Sequence, residues 1–248
     1  MIKKSFLIVV VLFFSFSLFA NPFAFPVELV VLDAGHGGED PGAVATYHWD
    51  NQITLYEKEI TLDIVKKVKE RLERRNVTVL LTRDSDYFAT LSERAQLVSK
   101  YPLSSDKSAI FVSIHANSAD TPLASGLEIL VKENKKWVTF LDGNSEGWKI
   151  LRYANYTPTQ LNNFLNSENL VLAKSLKASL EKSFPNHRFR GIKEQDLWVL
   201  NQSKVASALI EIGFMSNEED ALNMYTKSWR DEMASSIANG ILNYISGN

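Results

Sequence analysis

A chain of 248 residues, 45% of them hydrophobic, is long enough to bury one full core and is of ordinary size for a single catalytic domain. Its 27 basic and 29 acidic side chains show no arginine-rich face, which argues against nucleic acid as a partner. The lack of cysteine excludes a disulfide framework and a lipid-modified cysteine.

The N-terminal stretch MIKKSFLIVVVLFFSFSLFA sets Lys3 and Lys4 ahead of an apolar or hydroxyl run over residues 6–19, closed by the small Ala20. This is the pattern of a secretory signal peptide over residues 1–20, cleaved near Ala20. The run is short for a bilayer span of about 20 residues, and no stop-transfer charges follow it. Loss of Lys3 and Lys4 would lower the 27 basic side chains to 25 against 29 acidic ones, a formal charge of −4. The expectation is an exported protein, periplasmic or extracellular, with no integral membrane span after cleavage.

Short, branched apolar runs over 27–32, 77–81, 109–114, 127–131 and 208–212 read as strands buried on both faces. Between the first two, Ile60, Ile64, Val65, Val68 and Leu72 recur at helical spacing, with charged residues opposite, and predict an amphipathic helix ending before Asn76. Residues 91–98 predict a second helix, with Thr90 as cap and Glu93 in the first turn. Later helices are predicted over 167–184 and 229–245. Strands alternating with helices imply an α/β fold, a mostly parallel twisted sheet with helices on both faces. Residues 132–166, with Trp137, Trp148, Tyr153 and Tyr156, are too long for a simple connection and too aromatic for a disordered linker. They read as an insertion packed near the strand ends, where a protein activator acts on it as a lid or where it forms a wall for substrate.

In such sheets ligands collect beyond the carboxyl ends of the strands. His36 follows the first strand in VVLDAGHGGEDPGA, His115 ends the third in SIHAN, Glu211 ends the last in ALIEIGFMSN, and Glu57 opens the first helix in YEKEITLDI. Two histidines with carboxylates from separate loops are the donor types of a catalytic zinc site, with three protein ligands and a further carboxylate as base. Singly, each has a plainer reading: His36 as a loop residue, His115 as a core histidine, Glu57 as an acid at a helix start. Glu211 is the exception, since a carboxylate inside ALIEIGF is costly to bury without a partner. A phosphate loop is excluded, because GHGGEDPG has neither the lysine nor the immediate helix. Asp33 is expected to orient His36, and Asn117 to contact substrate. His48 and His187 are expected to be solvent-exposed.

The motifs LDAGHGGEDPGA, EKEITLDI, LTRDSD, LSERAQLVSK, FVSIHANSA and LIEIGFMSNEED, in this order, resemble the zinc-dependent N-acetylmuramoyl-L-alanine amidases of bacterial cell walls. The likeness runs from about Val27 to the C-terminus, so the catalytic domain is placed over residues 27–246. It implies that His36, Glu57 and His115 bind Zn2+ and that Glu211 is the catalytic glutamate, acting on peptidoglycan. It selects Glu57 over Glu59 because the family's ligand directly precedes lysine. Relative to shorter members, TYHWDNQ is an added segment.

Overall fold

The computed structural model describes residues 21–247 except 102, 144 and 146, without the side chains of 98–100 and 148. The expected signal segment therefore lies outside the described residues. Among the described residues no helix is long and apolar enough to cross a membrane.

The central sheet has six strands: β1 (Val27–Ala34), β4 (Thr78–Leu81), β5 (Ser108–Asn117), β6 (Leu127–Lys132), β7 (Phe189–Gln195) and β8 (Ala206–Phe214). Their order is β4-β1-β5-β8-β6-β7. The first four are mutually parallel, and β6 runs antiparallel to β8 with β7 parallel to β6. A separate antiparallel hairpin joins β2 (Val44–His48) to β3 (Gln52–Tyr56). This hairpin contains the TYHWDNQ segment.

One face of the sheet carries three helices, α1 (Glu57–Glu73), α4 (Pro158–Ser183) and α7 (Lys227–Ser246). The α1 stripe predicted from periodicity, Ile60, Ile64, Val65, Val68 and Leu72, is buried in the main core with Val30, Ile110 and Ile210. Full burial of each such side chain stabilises by about 1.5–3 kcal/mol. Helix α1 ends where Asn76 takes φ 59°, a left-handed turn that asparagine tolerates. The opposite face is covered by α2 (Leu91–Lys100) and the short α5 (Trp198–Asn201), over a smaller cluster with Leu29, Phe111, Leu130 and Leu209. Thr90 and Glu93 cap α2 reciprocally, Glu93 N–H donating to Thr90 Oγ1 and Thr90 N–H to Glu93 Oε2. The remaining helices are α3 (Gly147–Tyr153) and α6 (Glu218–Tyr225).

The 132–166 segment differs from expectation in two ways. Its last part belongs to α4, which starts at Pro158 behind a capping box of Thr157 and Gln160, well before the predicted residue 167. Its position is also reversed. Because β6 is antiparallel to β8, the chain leaves β6 at the end of the sheet opposite the strand ends that carry His115 and Glu211. There Val138, Phe140, Tyr153, Leu161 and Leu165 pack around Phe23, and Arg152 donates to the Lys107 carbonyl just before β5. A lid over the carboxyl ends is therefore the wrong place for this segment.

Candidate metal and catalytic centre

The centre is built at the carboxyl ends of β1, β5 and β8. After β1 the chain turns sharply: His36 has φ 61°, a conformation that costs a non-glycine residue about 1–3 kcal/mol. Three bonds hold the turn. Arg94 donates to the carbonyls of Ala34 and His36, both at 2.6 Å, and Gly37 N–H donates to the Asp40 carbonyl at 2.9 Å. Gly37 itself has φ 130°, and a Cβ there would run into the backbone of Tyr87.

Glu57 is the first residue of α1 and is buried. Its carboxylate joins the two histidines, with Oε2 3.1 Å from His36 Nε2 and Oε1 2.9 Å from His115 Nδ1. The same oxygens accept from the backbone, Oε2 from Ala43 N–H at 2.9 Å and Oε1 from Ala116 N–H at 3.0 Å. One donor atom from each of His36, Glu57 and His115 lies within 4.8 Å of the others. Burial raises the Glu57 carboxyl, but the bonds to His115 and His36 outweigh it and hold it well below the usual carboxylate range. Burial works against charge on His36, yet Glu57 and Asp40 outweigh it and push the imidazole up to about 9. His115 is raised in the same sense: burial opposes its charge, and Glu57 and Glu211 favour it.

Glu211 stands beside this trio as the direct cross-strand partner of His115. Burial pushes its carboxyl up to about 7, against the charge of His115 and with the charges of Glu57 and Glu128. Its Oε2 is buried and has no hydrogen-bond partner among the described residues. An unpaired carboxylate oxygen in such a site is expensive, and it calls for a water or ligand group opposite it.

A cavity of about 470 Å³ opens over these groups, lined by His36, His115, Glu211, Phe88, Leu91 and Trp198 among others. It is of the size and mixed polarity of small-molecule sites. A second cavity, of about 340 Å³, has Phe23, Phe140 and Tyr153 on its wall and none of the four residues of the centre. Trp198 borders both.

Asp33 does not orient His36. Its buried carboxylate accepts from Thr82 Oγ1, Ser113 Oγ and Arg94, each at 2.6 Å. The partner of His36 Nδ1 is Asp40, at 2.8 Å. A carboxylate on the second ring nitrogen is the usual companion of a metal-bound imidazole, because it fixes the tautomer. The signal for Asp40 lay in the sequence: it is four residues after His36 in a glycine-rich loop able to fold back. Asn117 ends β5, but its Oδ1 accepts from Ser118 N–H at 2.8 Å, and it does not line the cavity. His48 is exposed at the end of β2. His187 is not: it is half-buried, 5.2 Å from the Phe184 ring and 6.2 Å from that of Trp229, with Nε2 3.2 Å from Asn223 Nδ2. The hairpin residues also lacked a sequence signal. Tyr47 stacks on Trp49 and donates to the Met215 carbonyl at 2.9 Å, tying the added segment to the loop after β8.

The family described as N-acetylmuramoyl-L-alanine amidase, Amidase_3, matches residues 30–243. A probable N-acetylmuramoyl-L-alanine amidase AmiB of Haemophilus influenzae is 28% identical over 94% of this chain, which spans 55% of that protein's length. The uncharacterized protein YqiI of Bacillus subtilis is 33% identical over 88% of this chain and 86% of its own. Among solved structures, the amidase AmiC2 of Nostoc punctiforme has a TM-score of 0.66 at 29% identity, covering 88% of this chain and 97% of that one. The CwlD amidase of Clostridioides difficile, solved in complex with the GerS lipoprotein, shares the fold with a TM-score of 0.68 at 24% identity, over 89% of this chain and 100% of that one.

Proposed function

The chain belongs to the N-acetylmuramoyl-L-alanine amidase family, and on that premise we propose that it is an exported zinc hydrolase of peptidoglycan. It cuts the amide between the lactyl group of N-acetylmuramic acid and the L-alanine of the stem peptide, in cell-wall remodelling or daughter-cell separation.

The observation that carries this reading is the pairing of a three-donor cluster with an unpaired acid. His36, Glu57 and His115 supply two imidazoles and a carboxylate within 4.8 Å of one another, the donor set of catalytic zinc. Glu211 Oε2 beside them has no hydrogen-bond partner among the described residues. The residues present fit the metal, and His36, Glu57 and His115 would hold it. When bound, zinc supplies Lewis-acid chemistry: it polarises the scissile carbonyl and lowers the pKa of water in the site.

The remaining work falls to side chains of this chain. Glu211 takes the proton of the attacking water on its carboxylate and passes it to the nitrogen of the leaving L-alanine. A carboxyl raised to about 7 is suited to both halves of that exchange near neutral pH. Asp40 keeps His36 in one tautomer through Nδ1. Phe88, Leu91, Leu197 and Trp198 form an apolar rim that limits water over the reacting groups.

Digestion of isolated peptidoglycan by the zinc-loaded protein tests the reading through its products. A new free amino group on L-alanine and a newly freed lactyl carboxyl on N-acetylmuramic acid are the expected ends. Release of stem fragments cut between amino acids would contradict the assigned bond. A protein partner that controls activity also fits the proposal, because the CwlD amidase was solved in complex with a lipoprotein. The 132–166 segment, at the far end of the sheet, is not the element through which such a partner would uncover the cleft.

A further inference from the structure

We propose that Arg190 and Lys193 form an anion-binding subsite beside the catalytic centre, which receives a carboxylate of the stem peptide. The identity of the ligand rests on the amidase reading above.

Three charged positions stand in one row across the sheet. His115 of β5 is the register partner of Glu211 of β8, and Glu211 is the partner of Glu128 of β6. Direct partners on neighbouring strands present their side chains to the same face. One strand further out, Lys193 of β7 is the partner of Leu130, which with Leu209 belongs to the core cluster on the Glu211 face. Lys193 therefore faces the same way as Glu211.

The two acids of the row differ in their partners. Glu128 is buried, and its Oε2 accepts from Arg190 Nε at 2.9 Å and from Lys193 Nζ. Glu211 Oε2, by contrast, has no hydrogen-bond partner among the described residues. Two cations on one carboxylate leave the flank of the row with a net positive charge. One cation neutralises Glu128, and the second is the charge left to face a ligand. Arg190 is further steadied with its guanidinium 4.8 Å from the Phe214 ring centroid. The Lys193 side chain remains 45% exposed, with Glu128 its only partner among the described residues and three N–H donors to offer.

The spacing suits a peptide. From β8 to β7 is two strand spacings, about 10 Å, which an extended chain covers in about three residues. A stem peptide whose scissile amide lies at Glu211 would thus bring a carboxylate of one of its next residues to Lys193 and Arg190. Such charge-assisted bonds give specificity for the ionised group over its amide.

Calorimetric titration of the zinc-loaded Glu211→Gln protein tests the subsite without turnover. The two probes are a muramoyl tripeptide with free stem carboxylates and the same compound with those carboxylates amidated. Hydrolysis of both by the parent protein is followed separately. The expected Kd is about tenfold weaker for the amidated compound. Adding Lys193→Gln should weaken binding of the free acid by a similar factor and leave the amidated form unchanged; this exposed substitution keeps Arg190 on Glu128. Equal Kd values for the two compounds, or binding of neither, would overturn the subsite. Failure of the parent to hydrolyse either compound would instead count against the amidase reading, whatever the ratio of affinities.

Discussion

Gly35 lies directly against the ring of His115: a Cβ at Gly35 would come within 2.5 Å of His115 Cε1 and 2.6 Å of Nδ1. The backbone of the β1 turn thus forms one wall of the histidine's slot. Gly35→Ala is expected to push the imidazole out of line with Glu57, so that zinc occupancy falls well below one per chain while the far-ultraviolet circular dichroism is unchanged. Gly143→Ala, where an added Cβ meets nothing within 4 Å, is the control and should bind zinc normally. Full zinc in Gly35→Ala would show that His115 is not held by this contact.

Metal binding should compete with protons. A histidine ligates through its neutral form, and the His36 imidazole is pushed up to about 9 by Glu57 and Asp40, against its burial. Below that pH the metal must displace a proton, so apparent zinc affinity should rise as pH rises from 6 to 8, by about tenfold per unit for each proton released. Competition with a pH-insensitive chelator measures this. A flat affinity over that range would mean that the histidines do not bind the metal.

Arg94 and Asp33 predict a stability effect separate from the metal. Asp33 is fully buried; burial alone would raise it, but Arg94, His115, Ser113 and Thr82 together hold its carboxyl below the usual range. Arg94→Leu removes the buried partner and the bonds to the Ala34 and His36 carbonyls, at a cost of about 3–5 kcal/mol. Urea unfolding of the metal-free protein at neutral pH is the check. The sign with pH follows from the lowered carboxyl: Asp33 stabilises the fold above its ordinary unfolded value, and that contribution is lost as pH falls through the folded one.

Phe140 distinguishes a structural segment from a regulatory one. It is buried with Phe23 and Tyr153 at the end of the sheet away from Glu211. Phe140→Ala is expected to lower unfolding stability by about 3–5 kcal/mol, with kcat/KM at 25 °C near that of the parent. A rise in basal hydrolysis would restore the lid reading that the direction of β6 argues against.

The α1 face was legible from its helical period, and five of the six central strands as short, branched apolar runs, because both sheet faces are covered: Leu29, Val31 and Phe111 lie on one and Val30, Leu32 and Ile110 on the other. The edge strand β7, FRGIKEQ, is too polar to form such a run. The positions of His36, His115 and Glu211 followed from the same pattern, as polar residues at the ends of apolar runs. Strand direction was not legible from periodicity, since β6 reads the same either way. Its signal was the connection over residues 118–126, too short for a helical crossover, which returns the chain antiparallel. Glu128 and Arg190 carry no local sequence signal, because their pairing joins strands 62 residues apart in sequence. Asp33 turns to Arg94 and not to His36, because nearness along the chain does not show which way a strand residue points.

The most direct measurement is zinc content and turnover determined together on the Glu211→Gln protein. Glutamine keeps the shape of the side chain but cannot accept the proton from water. With His36, Glu57 and His115 as the metal's holders and Glu211 as the base, the variant should retain about one zinc per chain and lose at least about a hundredfold in hydrolysis of isolated peptidoglycan. Turnover near that of the parent at full zinc occupancy would contradict the account.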